Sequence, residues 1–382
     1  MSGYAEAFFD WLACAVGGIE EPATRAMVAA TGGDRSPRGR AAVLGTAGHV
    51  LDFDDTYLPG IAHLSGAIAP AALALGAARD KTVGDVLDAY TLGWEAMAAL
   101  SRASYPNLYK RGFHATAACG PVGAAVACAA LIGLEERTRK AAIALALLRA
   151  SGMQAGFGYD AKAIGVGAAA AAGVEATLMA EAGARADLSR ASEGFEEVTG
   201  GHYRSVGSRP AIERNWIKAY PCCLQTHGAI EAALQAREAG VTDPRTVLIR
   251  VHPVSRRAAR YDDVQDGLQA KFSLAYLTAY TLAHGAPNVR SFEAADPALR
   301  KFARERIRLV TDSQMRESET ALILNREWVG WISAAVGSPE NPMDAPTLQA
   351  KAVGLAGRKI GGILNDRNRP AAKLLRALGL DG

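Results

Sequence analysis

The segment His49-Val50-Leu51-Asp52-Phe53-Asp54-Asp55-Thr56, with His63 just downstream, constrains this chain more than any other. Three carboxylates and a threonine fall within residues 52–56. Upstream, Ala41 to Val50 is mostly small and apolar, and downstream Gly66 to Gly76 is apolar enough to form a buried helix. Carboxylates are costly to bury unless they are paired or hydrogen-bonded. Acid flanked by core therefore predicts a partnered polar cluster, which is where a site would sit. The plainer reading is an exposed loop of helix-capping aspartates.

At 382 residues the chain has room for two or three domains and a large core. Its 49% hydrophobic and 21% charged residues are ordinary for a globular protein. Abundant alanine with few aromatics favours close-packed helices over a sheet-dominated fold. A formal charge of +3, with no basic stripe interleaved with aromatics, argues against nucleic-acid binding. Cys14, Cys119, Cys128, Cys222 and Cys223 include no Cys-x-x-Cys pair, so reduced thiols are expected, and no structural zinc or iron–sulfur cluster. Met1 to Phe9 lacks the features of a secretory signal, and glycines and charges interrupt the apolar stretches, so no membrane span is expected. The chain reads as a soluble cytoplasmic protein.

Tyr4 to Val16 reads as a helix, and Pro22 suits the first turn of a second. Thr31 to Arg40 reads as a loop. From Ala41 to about Ala186 the apolar periodicity is helical, with breaks at Pro59-Gly60, residues 78–83, Tyr105-Pro106-Asn107, residues 133–135 and residues 156–161. The character changes near Glu193, where Gly, Ser and Arg become common as far as Ser208. Residues 246–251 and 306–310 then alternate like half-buried strands, and 320–335 holds further β-like pieces between helical patterns at 226–238 and 272–283. After a turn at residues 339–342, residues 347–378 become helical again. The simplest layout is mainly α: a large helical domain formed by residues 1–213 and 339–382, with a smaller α+β domain, residues 214–338, inserted between.

Four more polar places lie in small or apolar sequence. His114, directly before an Ala/Gly-rich helix, could donate to an anion or act as acid or base, or be a satisfied structural histidine. Lys162 stands alone between glycine-rich turns and an apolar helix, so it could be a base or a carboxylate anchor, or snorkel to solvent. In Lys218 to His227 a thiol lies near a lysine and a histidine, although a pair of small buried cysteines explains the motif equally. Lys271-Phe272-Ser273 could open a helix by capping and pair with an acid, or simply do the capping. No nucleotide loop, Gly-x-Ser-x-Gly elbow or His-Glu-x-x-His helix is present. The set suggests proton transfer, without metal or cofactor, on a small anionic substrate.

These motifs, taken in order, resemble the MmgE/PrpD family, which includes 2-methylcitrate dehydratases, cis-aconitate decarboxylases and iminodisuccinate epimerases. The likeness runs through residues 51–56 with His63 to Pro70, Gly112 to Thr116 with 120–134, Lys162 with 165–173, Lys218 to His227, Lys271 to Tyr276 and residues 339–342. It implies that the α+β domain is a lid, with the active site in the cleft beneath it, usually in a homodimer. It also implies pocket positions for Asp52, Thr56, His63, His114 and Lys162, and lid-side positions for Lys218 and Cys223.

Three departures stand out. Gly165 occupies a position where the family often has histidine, and Cys223 one where decarboxylase-like members have histidine. The chain also looks short at its N-terminus. The expected activity is dehydration of a hydroxylated di- or tricarboxylate. His114 or Lys162 would be the base, and His63, oriented by Asp52, the acid. Thr56, Lys218, Lys271, Cys223 and His227 would bind substrate. An epimerase of an imino- or hydroxy-dicarboxylate, and a non-catalytic binding homologue, are the alternatives.

Overall fold

A computed structural model describes residues 3–202 and 210–381, and the fold is mainly α. Residues 203–208 of the Gly-, Ser- and Arg-rich stretch lie outside the described residues. The chain folds as two compact units: residues 1–156, 160–217 and 344–382 form the first, and residues 157–159 and 218–343 the second.

The first unit begins with α1 (Gly3–Gly18), α2 (Pro22–Ala30) and α3 (Pro37–Val50). A two-residue strand β1 (Thr56–Tyr57) leads to α4 (Leu64–Ala78), α5 (Val83–Ser104), the short α6 (Asn107–Lys110), α7 (Ala115–Leu131), α8 (Glu136–Leu147), α9 (Ala161–Glu181) and α10 (Leu188–Thr199). β2 (Asn215–Trp216) pairs antiparallel with β1. The expected loop at 31–40 ends early. Ser36 caps α3 by accepting from Gly39 N at 3.2 Å, and Pro37 occupies the first turn, where its missing N–H costs nothing. The change of character expected near Glu193 also comes too soon, because α10 runs on to Thr199.

Small residues set the packing. α3 lies along α9, and α9 along α7. A Cβ on Gly167 would fall 2.2 Å from the Ala42 carbonyl oxygen, so the α3–α9 crossing is only possible with glycine there. By length and composition α9 is apolar enough to cross a membrane, contrary to the expectation that no segment would be, yet 61% of its most apolar stretch is buried. Its packing against α3 and α7 is that of a core helix.

The second unit holds α11 (His227–Glu238), β3 (Val247–Val251), α12 (Pro253–Ala258), α13 (Gly267–Ala270), α14 (Leu274–His284), α15 (Pro297–Arg306), β4 (Ile307–Thr311), β5 (Thr320–Leu324) and β6 (Trp328–Ile332). The strand order is β4-β3-β5-β6, with β3 parallel to β4 and the other pairs antiparallel. Val247, Ile249 and Val251 point alternately into the core, and α11 packs on β5 and β6. Ser273 caps α14 by accepting from Tyr276 N at 3.1 Å.

The chain then returns to the first unit as α16 (Ala345–Ala356) and α17 (Ala371–Leu378). The helical pattern expected over 347–378 is broken between them, where Gly357 closes α16 in the left-handed conformation.

Candidate active site

The acidic segment is buried, not solvated. α3 ends at Val50, and the Asp52 N–H bonds back to the His49 carbonyl oxygen at 2.9 Å. Asp52 takes a left-handed φ of 53°, which is costly for a residue with a Cβ and turns the chain sharply. That turn sets Asp52 and Asp54 on two sides of His49. His49 Nδ1 lies 2.9 Å from Asp54 Oδ2, and its Nε2 lies 2.7 Å from Lys162 Nζ. Lys162 also donates to Asp52 Oδ1 at 3.0 Å.

Two more histidines complete the cluster. His63 Nδ1 is 3.4 Å from Asp54 Oδ1 and 3.3 Å from Thr56 Oγ1, while its Nε2 is 3.8 Å from Asp52 Oδ1. The His49 and His63 rings meet edge to face with centroids 4.5 Å apart, and the His114 ring stacks on His49 at 5.9 Å. The backbone N–H of His63 donates to Thr116 Oγ1 at 2.9 Å, tying the starts of α4 and α7 together. His63 is the N-cap of α4, His114 the N-cap of α7, and Lys162 lies in the first turn of α9. Three helix N-termini, each with partial positive charge, therefore serve one cluster.

Hydrogen bonding assigns the protons. A lysine ammonium can only donate, so His49 Nε2 accepts from Lys162 and the ring proton sits on Nδ1, directed at Asp54. Burial holds the His49 imidazole below its usual range despite the pull of Asp54, and the Lys162 cation acts in the same direction. His114 is held well below the usual histidine range by burial first and then by Lys162, so it is a neutral base at physiological pH. Burial opposes ionisation of Asp54, yet the His49 and His63 rings together hold its carboxyl well below the ordinary range. Burial pushes neighbouring Asp55 up to about 7, against hydrogen bonds from Ser65 and Asn215. The cluster thus holds two imidazoles kept below their usual range, a third between two carboxylates, and a cation, all buried.

The structure brings Asp52, Thr56, His63, His114 and Lys162 together. His49 and Asp54 join them without having been singled out as site residues, although the segment that holds them was. Asp52 sits closer to Lys162 than to His63, and Thr56 contacts His63 itself. In the second unit, Lys218 Nζ donates to the Cys222 carbonyl oxygen at 2.9 Å, Cys223 N donates to the Lys271 carbonyl oxygen at 3.0 Å, and Tyr220 packs edge-on against His227. Lys271 also lies over the Phe292 ring at 5.5 Å. The two motifs singled out there therefore form a cluster of their own. All five cysteines are buried and none is in a disulfide.

His49, Asp54 and His63 offer donor atoms within 4.8 Å of one another, close enough to gather around a metal ion. The fit is poor. A metal on His49 Nδ1 would move the ring proton to Nε2, where it would face the Lys162 ammonium. A cavity of about 470 Å³ lies elsewhere in the first unit, beside Arg25, Arg40, Val43 and Leu44, and none of the clustered residues lines it.

Comparison with known proteins agrees with the resemblance read from the sequence. The MmgE/PrpD N-terminal domain matches residues 3–206 and the MmgE/PrpD C-terminal domain residues 220–374. The chain is 30% identical over 275 residues to cis-aconitate decarboxylase of Mus musculus, covering 65% of this chain and 55% of that protein. It is 28% identical over 268 residues to cis-aconitate decarboxylase of Homo sapiens, covering 64% and 55%. Against cis-aconitate decarboxylase of Aspergillus terreus it is 27% identical over 300 residues, covering 70% and 61%. The chain spans little more than half the length of these curated relatives.

Proposed function

The chain belongs to the MmgE/PrpD family, and from that premise we propose that it is a lyase of small tricarboxylates, working by proton transfer next to a carboxylate. The observation that carries this reading is the pairing of His114 and His63 in one buried cluster with opposite surroundings. His114 is kept neutral by burial and Lys162, as a general base must be. His63 faces two carboxylates, at 3.4 and 3.8 Å, that stabilise a proton-bearing ring. Two neighbouring histidines, one buried beside a cation and the other facing carboxylates, are placed as an acid–base pair.

In a dehydration, His114 takes the proton from the carbon next to a carboxylate. The electron pair left behind forms the double bond as the hydroxyl departs, and His63 gives that hydroxyl its proton, releasing water. Lys162 and the N-termini of α4, α7 and α9 stabilise the negative charge that develops on the carboxylate. Thr56 and Asp54 keep the His63 ring oriented from its Nδ1 side. The same reading takes the protein as a homodimer that needs no cofactor.

Decarboxylation is the second reading. It is favoured by the three relatives compared above, all cis-aconitate decarboxylases, and disfavoured by Cys223, which stands where decarboxylase-like members resemble one another in having histidine. Proton NMR in deuterated water with citrate, 2-methylcitrate and cis-aconitate separates the two. Dehydration forms an alkene from a hydroxylated acid, whereas decarboxylation consumes cis-aconitate and releases carbon dioxide. Exchange at the α carbon without loss of either group would identify an isomerase, and binding of all three acids without turnover would remove the lyase reading altogether.

A further inference from the structure

Lys351 lies far along the chain from the acidic segment and belongs to none of the motifs above, yet it reaches into the middle of that segment. It stands on α16, and its Nζ donates to the Phe53 carbonyl oxygen at 2.8 Å. The same ammonium lies 3.9 Å over the Phe53 ring centroid and 2.6 Å from Asp10 Oδ1 on α1. Both members of the ion pair are buried, with side-chain exposures of 4% and 0%. Phe53 sits between Asp52, which holds Lys162, and Asp54, which holds His49 and His63. It also directly follows the left-handed turn at Asp52, the most costly backbone position of the segment.

A cation buried against a carboxylate and a ring face has little freedom, so the carbonyl bonded to it is fixed as well. We propose that Lys351 is a positioning residue of the active site: anchored by Asp10, it fixes the Phe53 carbonyl and so aims Asp52 and Asp54 at their histidine and lysine partners. The proposal rests on the lyase reading of that cluster. It gives the pairing of α1 with α16 a functional consequence, since the two helices together hold the catalytic segment in shape.

The test is the double variant D10N/K351M, which removes both charges and leaves no buried ion unpaired. It is expected to lower kcat at least tenfold with KM within threefold of wild type, and to speed hydrogen exchange of the amides of residues 52–56 at least tenfold while α3 stays protected. A kcat within threefold of wild type, or unchanged exchange over 52–56, overturns the proposal. Should the double variant not fold, K351R replaces it. The planar guanidinium cannot occupy the point held by the ammonium over the ring, so kcat is expected to fall at least fivefold at an unchanged melting temperature, and wild-type kcat overturns the proposal. Hydrogen exchange needs no substrate. A wild-type protein inactive on every polycarboxylate would therefore sink the lyase reading alone, leaving Lys351 to be judged by exchange.

Discussion

Lys162 sets the protonation of its neighbours: it donates to Asp52 and to His49 Nε2, and its charge helps keep His114 neutral. Replacing it by methionine would leave Asp52 buried without its cation. K162M is expected to lower stability by roughly 3–5 kcal/mol, with K162M/D52N recovering most of the loss, as urea denaturation would measure. Equal stability of K162M and wild type would mean that the pair is not formed. Asp55 and the histidines give stability opposite pH dependences. Folding raises the Asp55 pKa to about 7, so the stability tied to its proton is present below the unfolded value near 4 and lost as pH rises through 7. Folding lowers the pKa of His49 and His114, so their contribution is present above about 6.5 and lost as pH falls below it. D55N should therefore gain a few kcal/mol on wild type between pH 5 and pH 8, and should lose stability more steeply than wild type as pH falls below 6.5, because no aspartate proton offsets the histidines; parallel urea midpoints across pH 5–8 would contradict this. Burial of Asp52, His63, His114 and Lys162 was legible because each interrupts apolar sequence. The pairing of His49 with Asp54 was not, since it depends on the left-handed turn at Asp52, which follows neither helix nor strand period.

The helices are the precision parts. His49 lies in the last turn of α3 and Lys162 in the first turn of α9, so the 2.7 Å contact between them depends on how closely those helices cross. Gly167 makes that crossing possible. G167V should force the helices apart, with a cost of about 1–3 kcal/mol or more from overpacking, and should also lower activity by pulling Lys162 from His49. A wild-type melting temperature for G167V would show that the crossing tolerates a larger separation. Most helices could be read from periodicity and β3 and β4 from alternation, because each is long enough to show its period, while β5 and β6 showed only as β-like composition over 320–335. α3 began earlier than expected because Ser36-Pro37, read as loop punctuation, is a cap followed by a first-turn proline. β1 and β2 were missed because two residues carry no period.

In the whole molecule, the N-terminal helices, the acidic segment and α16 belong to one compact unit, with Lys351 joining all three. The sequence shows neither this link nor the convergence of three helix N-termini, because both depend on tertiary packing between segments far apart in the chain. On the lyase reading, this one buried cluster performs the chemistry. Steady-state kinetics of H63A and H114A, on whichever tricarboxylate the wild-type protein turns over, test that claim most directly. Loss of a general acid or base should lower kcat by about 10²–10⁴-fold in each variant with its fold intact; less than a tenfold loss in both would contradict the account.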